Sequence, residues 1–427
     1  MSAIVLLIVL FVCLAMGVPI AISLGLASIT TILLFADQSL LSLSQRFFNT
    51  MQIYPLLAVP FFILAATFMT TGGVAKRMIA FANALVGHFR GGLAMSAVLA
   101  CAFFAAVSGS SPATVVAVGG VMIGGMVSSG YTPRFTAGVI CSAGTLGILI
   151  PPSIVLVIYG AVTESSIGNL FIAGLLPGVL LTIVMMATVA VIARRQNLPR
   201  QPKVGFRQML RTGREAFWGL LLLVIILGGI YAGVFTPTEA AAVAAVYAFV
   251  VAVFVYGDIK LAAVPEVLTE SAKVTSMLMF IIANAYLFAF VLTTEQIPQL
   301  ASEWIVDMGL PPWGFLLVLN ALLLVAGNFM EPTSVILILT PIVFPIATEM
   351  GIDPIHLGII MVINMEMGLI TPPVGLNLFV TAGVSGMSME RVIQASLPWL
   401  GVLLAVLLVI TYVPAISLIV PRWLGLI

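Results

Sequence analysis

"SGSSPAT", Ser108 to Thr114, interrupts a stretch otherwise almost free of polar side chains: "LACAFFAAV" runs into it and "VVAVGGVMIGGMV" runs out of it. Pro112 has no amide hydrogen, so it is tolerated in the first turn of a helix, where that hydrogen would have no intrahelical partner. Ser110 or Ser111 can cap a helix that begins at Pro112. The stretch reads as the tip of a hairpin over 92–128, with a helix N-terminus presented inside an apolar layer.

The rest of the chain identifies that layer as a bilayer. Of 427 residues, 62% are hydrophobic and only 7% charged, against about 25% charged in soluble domains. The apolar runs extend over roughly 20 residues without period-two alternation, which excludes an outer-membrane barrel and leaves an all-α polytopic membrane protein. The run from Ile4 to Ala36 is too long for a cleaved signal peptide; as one helix it would measure roughly 50 Å against a hydrocarbon core of about 30 Å, so it is tilted or broken near Gly17 and Pro19. Further spans are expected at 55–73, 134–162, 168–193, 216–234, 236–256, 275–293, 355–381 and 395–420, with surface helices at 76–90 and 262–273. Cys13, Cys101 and Cys141 lie in apolar stretches without metal-ligand spacing and read as packing residues; His88 and His356 are too isolated for catalysis or metal binding. The net charge of +1 implies no nucleic-acid partner. There is no Gly-Lys dipeptide, hence no phosphate-cradling loop and no nucleotide hydrolysis by this chain.

A second tip repeats the first. The interval from Pro133 in "GYTP" to Pro151 in "GILIPPS" equals that from Pro354 in "GIDP" to Pro372 in "GLITPPV". Upstream, Pro112 and Pro332 precede these prolines by intervals that differ by one residue, and Thr70-Thr71 matches Thr293-Thr294. The mate of "SGSSPAT" is "GNFMEPTS", Gly327 to Ser334, the tip of a hairpin over 313–349. Five spans separate the hairpins, an odd number, so they enter from opposite sides. Seven of the sixteen basic residues lie between Arg194 and Arg214, which places that loop in the cytoplasm. The first hairpin then opens to the cytoplasm and the second outward. The charges agree: Lys76, Arg77 and Arg90 precede the first, whereas Glu295, Glu303 and Asp307, without a base, precede the second.

The Pro-Pro pairs break the helices at 134–162 and 355–381, because proline removes a helical hydrogen bond and clashes with the preceding turn. Taken singly these could be kinks repaired by neighbouring helices; in matched pairs they point to inverted repeats with broken helices, the architecture of secondary transporters. Freed carbonyls around Gly144–Pro151 and Met365–Pro372 suit a small cation such as sodium, with Ser108 or Thr371 adding hydroxyls. Glu331 and Glu366 are carboxylates within or beside apolar stretches, each either functional or a bridge to a neighbouring helix. Glu331, immediately before Pro332, can cap its helix and lie near a cation. Glu239 in "FTPTEAAAVAAVY" reads as a capped helix start.

"AAVSGSSPATVVAVGG", "GTLGILIPPSIV", "GGIYAGVFTPTEAAAV", "GNFMEPTSVILI" and "MEMGLITPPVGLNLFV" resemble the large membrane subunit of TRAP (tripartite ATP-independent periplasmic) transporters, from Pro55 to the C-terminus. The resemblance implies a sodium-coupled importer of organic acid anions, C4-dicarboxylates or sialic acid, in a bacterial inner membrane. It implies two partners, a small four-helix membrane subunit and a periplasmic substrate-binding protein, and no organic cofactor. It places one sodium site around Ser108, Ser110, Ser111, Gly144, Gly147, Ile150 and Pro151, and a second around Gly327, Asn328, Met365, Gly368, Thr371 and Pro372. By the same analogy Ser111, Ser153 and Glu331 line the substrate path; no lysine or arginine lies within the motifs, so a dianion would be offset either by helix N-termini and bound sodium or by an arginine outside the motifs, such as Arg134.

The expected organisation is one membrane domain over 1–427. It comprises an N-terminal region at 1–54, a first repeat at 55–193, the basic loop at 194–215, scaffold helices at 216–256 and a second repeat at 262–427. In an elevator mechanism the hairpins and broken helices would move against a scaffold of 1–36 and 216–256. A stand-alone sodium/anion symporter is the alternative. A channel fits a single inverted duplication less well, and an intramembrane enzyme using Ser111 or Glu331 would lack a histidine near either motif.

Overall fold

The computed structural model describes residues 2–35, 40–300, 303 and 309–427. Asp307, invoked above for the charge pattern, and Ala36, the end of the first apolar run, lie outside these. Among the described residues every element is helical, and eight helices are long and apolar enough to cross a membrane. The chain is a multi-pass membrane protein.

The N-terminal run breaks at the expected place. Helices Ser2–Ala15 and Ile20–Phe35 are separated by Gly17, at φ +77°, and Pro19. They pack against each other, so the run folds back on itself, and the Ser2 hydroxyl meets the Glu295 carboxylate. An amphipathic helix that the sequence reading did not place, Leu40–Thr50, follows and lies against Val264–Thr294.

Both hairpins form, Gly92–Ser108 with Ser111–Ser128 and Pro312–Gly327 with Pro332–Glu349. Each is followed by a broken helix. The first runs Pro133–Ala143, a 3-10 turn at Gly144–Ile148, then Ile154–Thr163; the second runs Pro354–Gly368, then Leu376–Ser385. Both breaks contain a cis Pro-Pro bond, Pro151-Pro152 and Pro372-Pro373.

The hairpins point in opposite directions. The open end of the first lies beside the basic loop, where the Gly91 amide donates to the Pro199 carbonyl at 3.3 Å and the Gln201 amide to the Gly87 carbonyl at 3.3 Å. The open end of the second begins at Trp313, whose carbonyl accepts from the Tyr412 hydroxyl at 3.2 Å. Tyr412 belongs to the far end of the molecule, where Asn169, at the start of helix Ile167–Arg195, donates to the Leu426 carbonyl at 3.1 Å. We call these the basic end and the far end.

Around the hairpins, Ala58–Thr71 packs on Pro237–Val250 and on Val264–Thr294. Ala240, Ala241, Ala244, Ala245 and Ala248 are buried along this contact, and small residues of this kind let helix backbones approach closely in lipid. Thr236 and Glu239 form the reciprocal cap that starts the alanine-rich helix, as read from its sequence. At the basic end Arg77 pairs with Asp258 at 2.5 Å and lies 3.8 Å from the Tyr256 ring centre, fixing helix Val74–Val86 to the segment that follows helix Pro237–Val250.

Two expectations need correction. The segment 262–273 is no separate surface helix but the first third of the continuous helix Val264–Thr294. The charged residues that suggested a surface helix, Glu266, Glu270 and Lys273, ride on a rod too long to lie wholly within the hydrocarbon. The span at 395–420 is two helices, Met389–Tyr412 and Ala415–Trp423, divided at Val413-Pro414.

A methyl group on Gly138 would lie 2.3 Å from the Ala395 carbonyl oxygen and 2.8 Å from Trp399 Nε1, whereas one on Gly124 would meet nothing within 4 Å. Gly138→Ala should lower the melting temperature of the purified protein by an amount equivalent to about 1–3 kcal/mol of overpacking. Gly124→Ala should leave it unchanged or raise it, since alanine favours the helix by about 1 kcal/mol. Thermal scans of the two variants side by side check this; equal melting would remove the contact between the first broken helix and helix Met389–Tyr412 as a determinant of packing.

Candidate functional site

The first tip is wedged into its own broken helix. Gly109 turns at φ +58°, and a methyl group there would lie 2.7 Å from the Pro152 carbonyl. A methyl on Gly147 would lie 2.5 Å from the Ser110 carbonyl, so the unwound segment and the tip touch backbone to backbone. The Ser111 hydroxyl donates to the Gly144 carbonyl at 2.8 Å. Ser108 and Thr114 hydroxyls are 3.0 Å apart, and Thr114 donates to the Ser110 carbonyl at 2.8 Å. Ser108, Ser110, Ser111, Gly144 and Gly147 are thus brought together. Ile150 instead packs on helix Ile167–Arg195, where a methyl on Gly178 would lie 2.6 Å from its Cγ1. Pro151 is buried in the break itself.

The second tip repeats this contact with its mates. A methyl on Gly368, which stands in the same relation to Pro372 as Gly147 to Pro151, would lie 2.6 Å from the Gly327 carbonyl. Met365 reaches Gly327 from the same side, and the Val374 amide donates to the Asn328 carbonyl at 3.1 Å. The Thr371 hydroxyl donates to the Met367 carbonyl at 2.6 Å, which leaves its oxygen lone pairs as acceptors. Asn328 Oδ1 is buried without a hydrogen-bond partner, as is Asn377 Oδ1 at the other tip. Orphaned neutral oxygens beside unwound backbone fit a hard monovalent cation, whose ligands in broken-helix transporters are carbonyls of this kind.

Both tips open into one cavity of about 340 Å³, walled by Ser108 to Ala113 from the first and by Glu331, Pro332 and Thr333 from the second. The expected caps are absent. Ser110 stands at the N-cap position of Ser111–Ser128 and Glu331 at that of Pro332–Glu349, yet neither side chain accepts a hydrogen bond from its helix. The Ser111 hydroxyl is directed to Gly144 instead, and one Glu331 carboxylate oxygen is buried with no partner. Elsewhere Thr132, Ser153, Ser166 and Asp353 do cap their helices. Two helix N-termini, one from each repeat, therefore reach the same cavity with no side chain across them, and each is equivalent to roughly half a positive charge.

The remaining wall comes from the basic-end portions of helices Ala58–Thr71 and Val264–Thr294, through Thr67, Thr70 and Thr71 on one and Glu270, Val274 and Met277 on the other. Among the described residues no lysine or arginine lines the cavity. Arg134 is not on the wall; its guanidinium donates to the Gln394 carbonyl at 3.2 Å, held there because its helix starts at the basic end. Ser153 is fully buried off the wall, its hydroxyl accepting from the Leu156 amide at 3.3 Å. Glu366 is fully buried, and both its oxygens lack partners, so it forms no hydrogen-bonded bridge to a neighbouring helix. His356 sits between the Ser417 hydroxyl and the Thr411 carbonyl, at 3.2 Å from each, and Cys101 and Cys141 are buried packing residues.

Asn377 was not foreseen. Its amide donates to the Ser111 hydroxyl at 2.7 Å and to the Cys141 carbonyl at 3.3 Å, so the second broken helix holds the first tip. The signal was present in "PPVGLNLF", an amide in an apolar helix just after a break. Glu270 was also missed, because 262–273 was read as a surface helix.

Two re-entrant hairpins of opposite direction, paired with broken helices around a shared cavity, define a secondary-transporter permease. The sequence of residues 7–416 matches the family of the tripartite ATP-independent periplasmic transporter, DctM component, and the chain belongs to that family. It is 64% identical over 404 residues, 95% of each chain, to the C4-dicarboxylate TRAP transporter large permease protein DctM of Pseudomonas aeruginosa. It is 34% identical to the sialic acid TRAP transporter large permease protein SiaM of Vibrio cholerae over 95% of each chain. The isethionate TRAP transporter permease protein DctMQ of Oleidesulfovibrio alaskensis is 39% identical over 95% of this chain and 64% of its own length. The crystal structure of the Alcanivorax borkumensis YdaH transporter shares the fold, with a TM-score of 0.60 at 15% identity over 90% of this chain and 87% of that one. The relatives' names are those of transporter permeases; the chain is a transport protein and not an enzyme.

Asn377→Leu should strand the Ser111 hydroxyl and release the first tip. Leaving a buried polar group without its partner costs about 1–3 kcal/mol. The expected outcome is a lower melting temperature together with uptake reduced by more than the fall in folded protein, measured as initial rate per correctly folded transporter in vesicles. Unchanged values of both would assign Asn377 to passive packing.

Proposed function

We propose that this chain is the large permease of a sodium-coupled importer of C4-dicarboxylates in a bacterial inner membrane, working with a small membrane subunit and a periplasmic binding protein. The observation that carries the reading is the convergence of two uncapped helix N-termini on one cavity whose only charged side chains, among the described residues, are Glu270 and Glu331. A dianion in that cavity meets partial positive charge from the helix ends but two carboxylates from the walls. Bound cations must supply the balance, and the orphaned oxygens of Asn328 and Asn377 lie at the tips where a cation offsets the substrate's charge. Ser111 and Glu331 are the side chains proposed to line the substrate path, with the two tip clusters as the sodium sites. Ser153 contributes only by holding its helix.

The dicarboxylate class is supported by the 64% identity to the dicarboxylate permease, against 34% to the sialic acid permease. The small subunit is supported by the name of the isethionate relative, DctMQ, a longer chain of which this protein matches 64%. The inner membrane is supported by the periplasmic transporter family and by the positive-inside rule, under which the basic end lies in the cytoplasm. In this conformation the tip cavity is walled by the cytoplasmic portions of helices Ala58–Thr71 and Val264–Thr294 and so faces inward. Import requires the hairpins and broken helices to move outward as a unit along the scaffold, an elevator, because the tips are locked to their own broken helices by backbone contacts that no gate between them could open cheaply.

Counterflow of labelled succinate in vesicles carrying the full complex is the test. Uptake should vanish in sodium-free, choline-containing buffer, ignore ATP, and be absent for the permease without its partners. Full-rate uptake without sodium would overturn the coupling.

Because the Glu331 side chain makes no cap, Glu331→Gln alters charge while leaving the helix start as it is. Uptake should drop about tenfold, equivalent to about 1.4 kcal/mol, with expression and melting temperature preserved. Normal uptake with an unshifted sodium half-saturation would reduce Glu331 to a structural residue.

A further inference from the structure

A second cavity, about 550 Å³, lies at the far end and shares one wall with the first. The shared element is helix Val264–Thr294: Glu270 to Leu278 face the tip cavity, and Ala285 to Thr293 face the second one. Glu270 and Phe290 are separated by about 30 Å of helix at 1.5 Å per residue. The opposite wall is the outgoing arm of the second hairpin, through Leu337, Thr340 and Phe344, and the roof is the amphipathic helix Leu40–Thr50.

The charge of this cavity is the reverse of the first. Among the described residues, its only ionised side chain is Arg46 and no acid lines it. Arg46 is in neither of the two ion pairs described, Arg77 with Asp258 and Arg211 with Glu215. Its guanidinium carbon lies 3.7 Å from the centre of the Phe290 ring. Stacking occupies the face of the guanidinium and fixes its plane, leaving the edge, with its fork of N–H donors, free for a carboxylate. Asn49 and Thr50, one turn along the same helix, and Thr163, Thr293 and Thr340 add uncharged polar groups. The Tyr286 hydroxyl, also on the wall, is buried without a hydrogen-bond partner.

We infer that this vestibule is a carboxylate-receiving site on the outer face, separate from the tip cavity, with Arg46 as the group that binds the incoming anion. That the anion is the transported carboxylate rests on the proposed function above; that the vestibule holds a small carboxylate rests on its own charge and donors. The two cavities make a graded path. An anion is attracted to the single base outside, and after transfer it sits between two carboxylates that favour its departure inside once the accompanying cations leave. Arg46 is a residue of capture, outside the moving unit, so its effect falls on the external half-saturation constant.

The test reads the vestibule directly. Thr293→Cys, made in a Cys13→Ser background because Cys13 is the partly exposed native thiol, places a reactive group on the wall. The full complex is held in zwitterionic lipid, without anionic headgroups, binding protein or sodium. The rate of modification by anionic sulfonatoethyl methanethiosulfonate is compared with that by its cationic trimethylammonium counterpart. The anionic reagent should be favoured, succinate should slow it at least fivefold, and Arg46→Gln should cut the anionic-to-cationic ratio about tenfold and abolish the protection. Arg46→Lys should keep most of the ratio, and Glu331→Gln should change neither quantity. In uptake assays Arg46→Gln should raise the external half-saturation about tenfold while the maximal rate stays within twofold. A ratio indifferent to Arg46→Gln, or a rate that succinate does not slow, overturns the inference. Either result is independent of whether sodium drives transport, so a failure here is distinct from a failure of the tip-cavity reading.

Discussion

In lipid no backbone group can go unpaired at a small cost, and this chain breaks its helices four times within its apolar layer. The constraint is met by closing each tip onto its own broken helix. Gly147 against the Ser110 carbonyl and Gly368 against the Gly327 carbonyl are contacts that any side chain would prevent. Everything else in the site depends on those two approaches: they keep lipid away from the irregular backbone, aim the helix starts inward, and join tip and broken helix into one body.

Within that body the polar groups are few and fixed. Asn377 crosses from the second repeat to Ser111 and Cys141 of the first, so the two halves are tied at the level of the cavity as well as by apolar packing. A neighbouring relay, Asn364 to Asn320 at 2.7 Å and Asn320 to Thr411 at 3.1 Å, fastens the second broken helix to its hairpin and to helix Met389–Tyr412. These amides replace the hydrophobic driving force that helices lack inside a bilayer, where lipid is as apolar as leucine.

The breaks were legible because proline and glycine act locally: Pro112, Pro332 and the two Pro-Pro pairs mark the same points in sequence and in space. The repeat was legible from their intervals, and the opposite directions of the hairpins from counting spans against Arg194–Arg214. What escaped depended on tertiary contact. Neither Ser110 nor Glu331 caps, because a tip pressed onto an unwound segment gives Ser111 a better acceptor in Gly144 and leaves Glu331 aimed into the cavity. The fold-back of the first two helices, and the continuity of Val264–Thr294 through three charged residues, are set by neighbours that periodicity does not reveal. The stacking of Arg46 on Phe290 was invisible for the same reason, since the two are far apart in sequence.

The length of Val264–Thr294 has a consequence for the lipid around the protein. Its 31 residues extend about 46 Å at 1.5 Å per residue, well beyond a hydrocarbon thickness of about 30 Å. The rod must tilt, or lift one end into the headgroups, and either adjustment changes with acyl-chain length. Because the same rod walls both cavities, hydrophobic mismatch acts on the depth of the inner and outer openings together. The bilayer is thereby a mechanical partner of the helix that joins the two cavities.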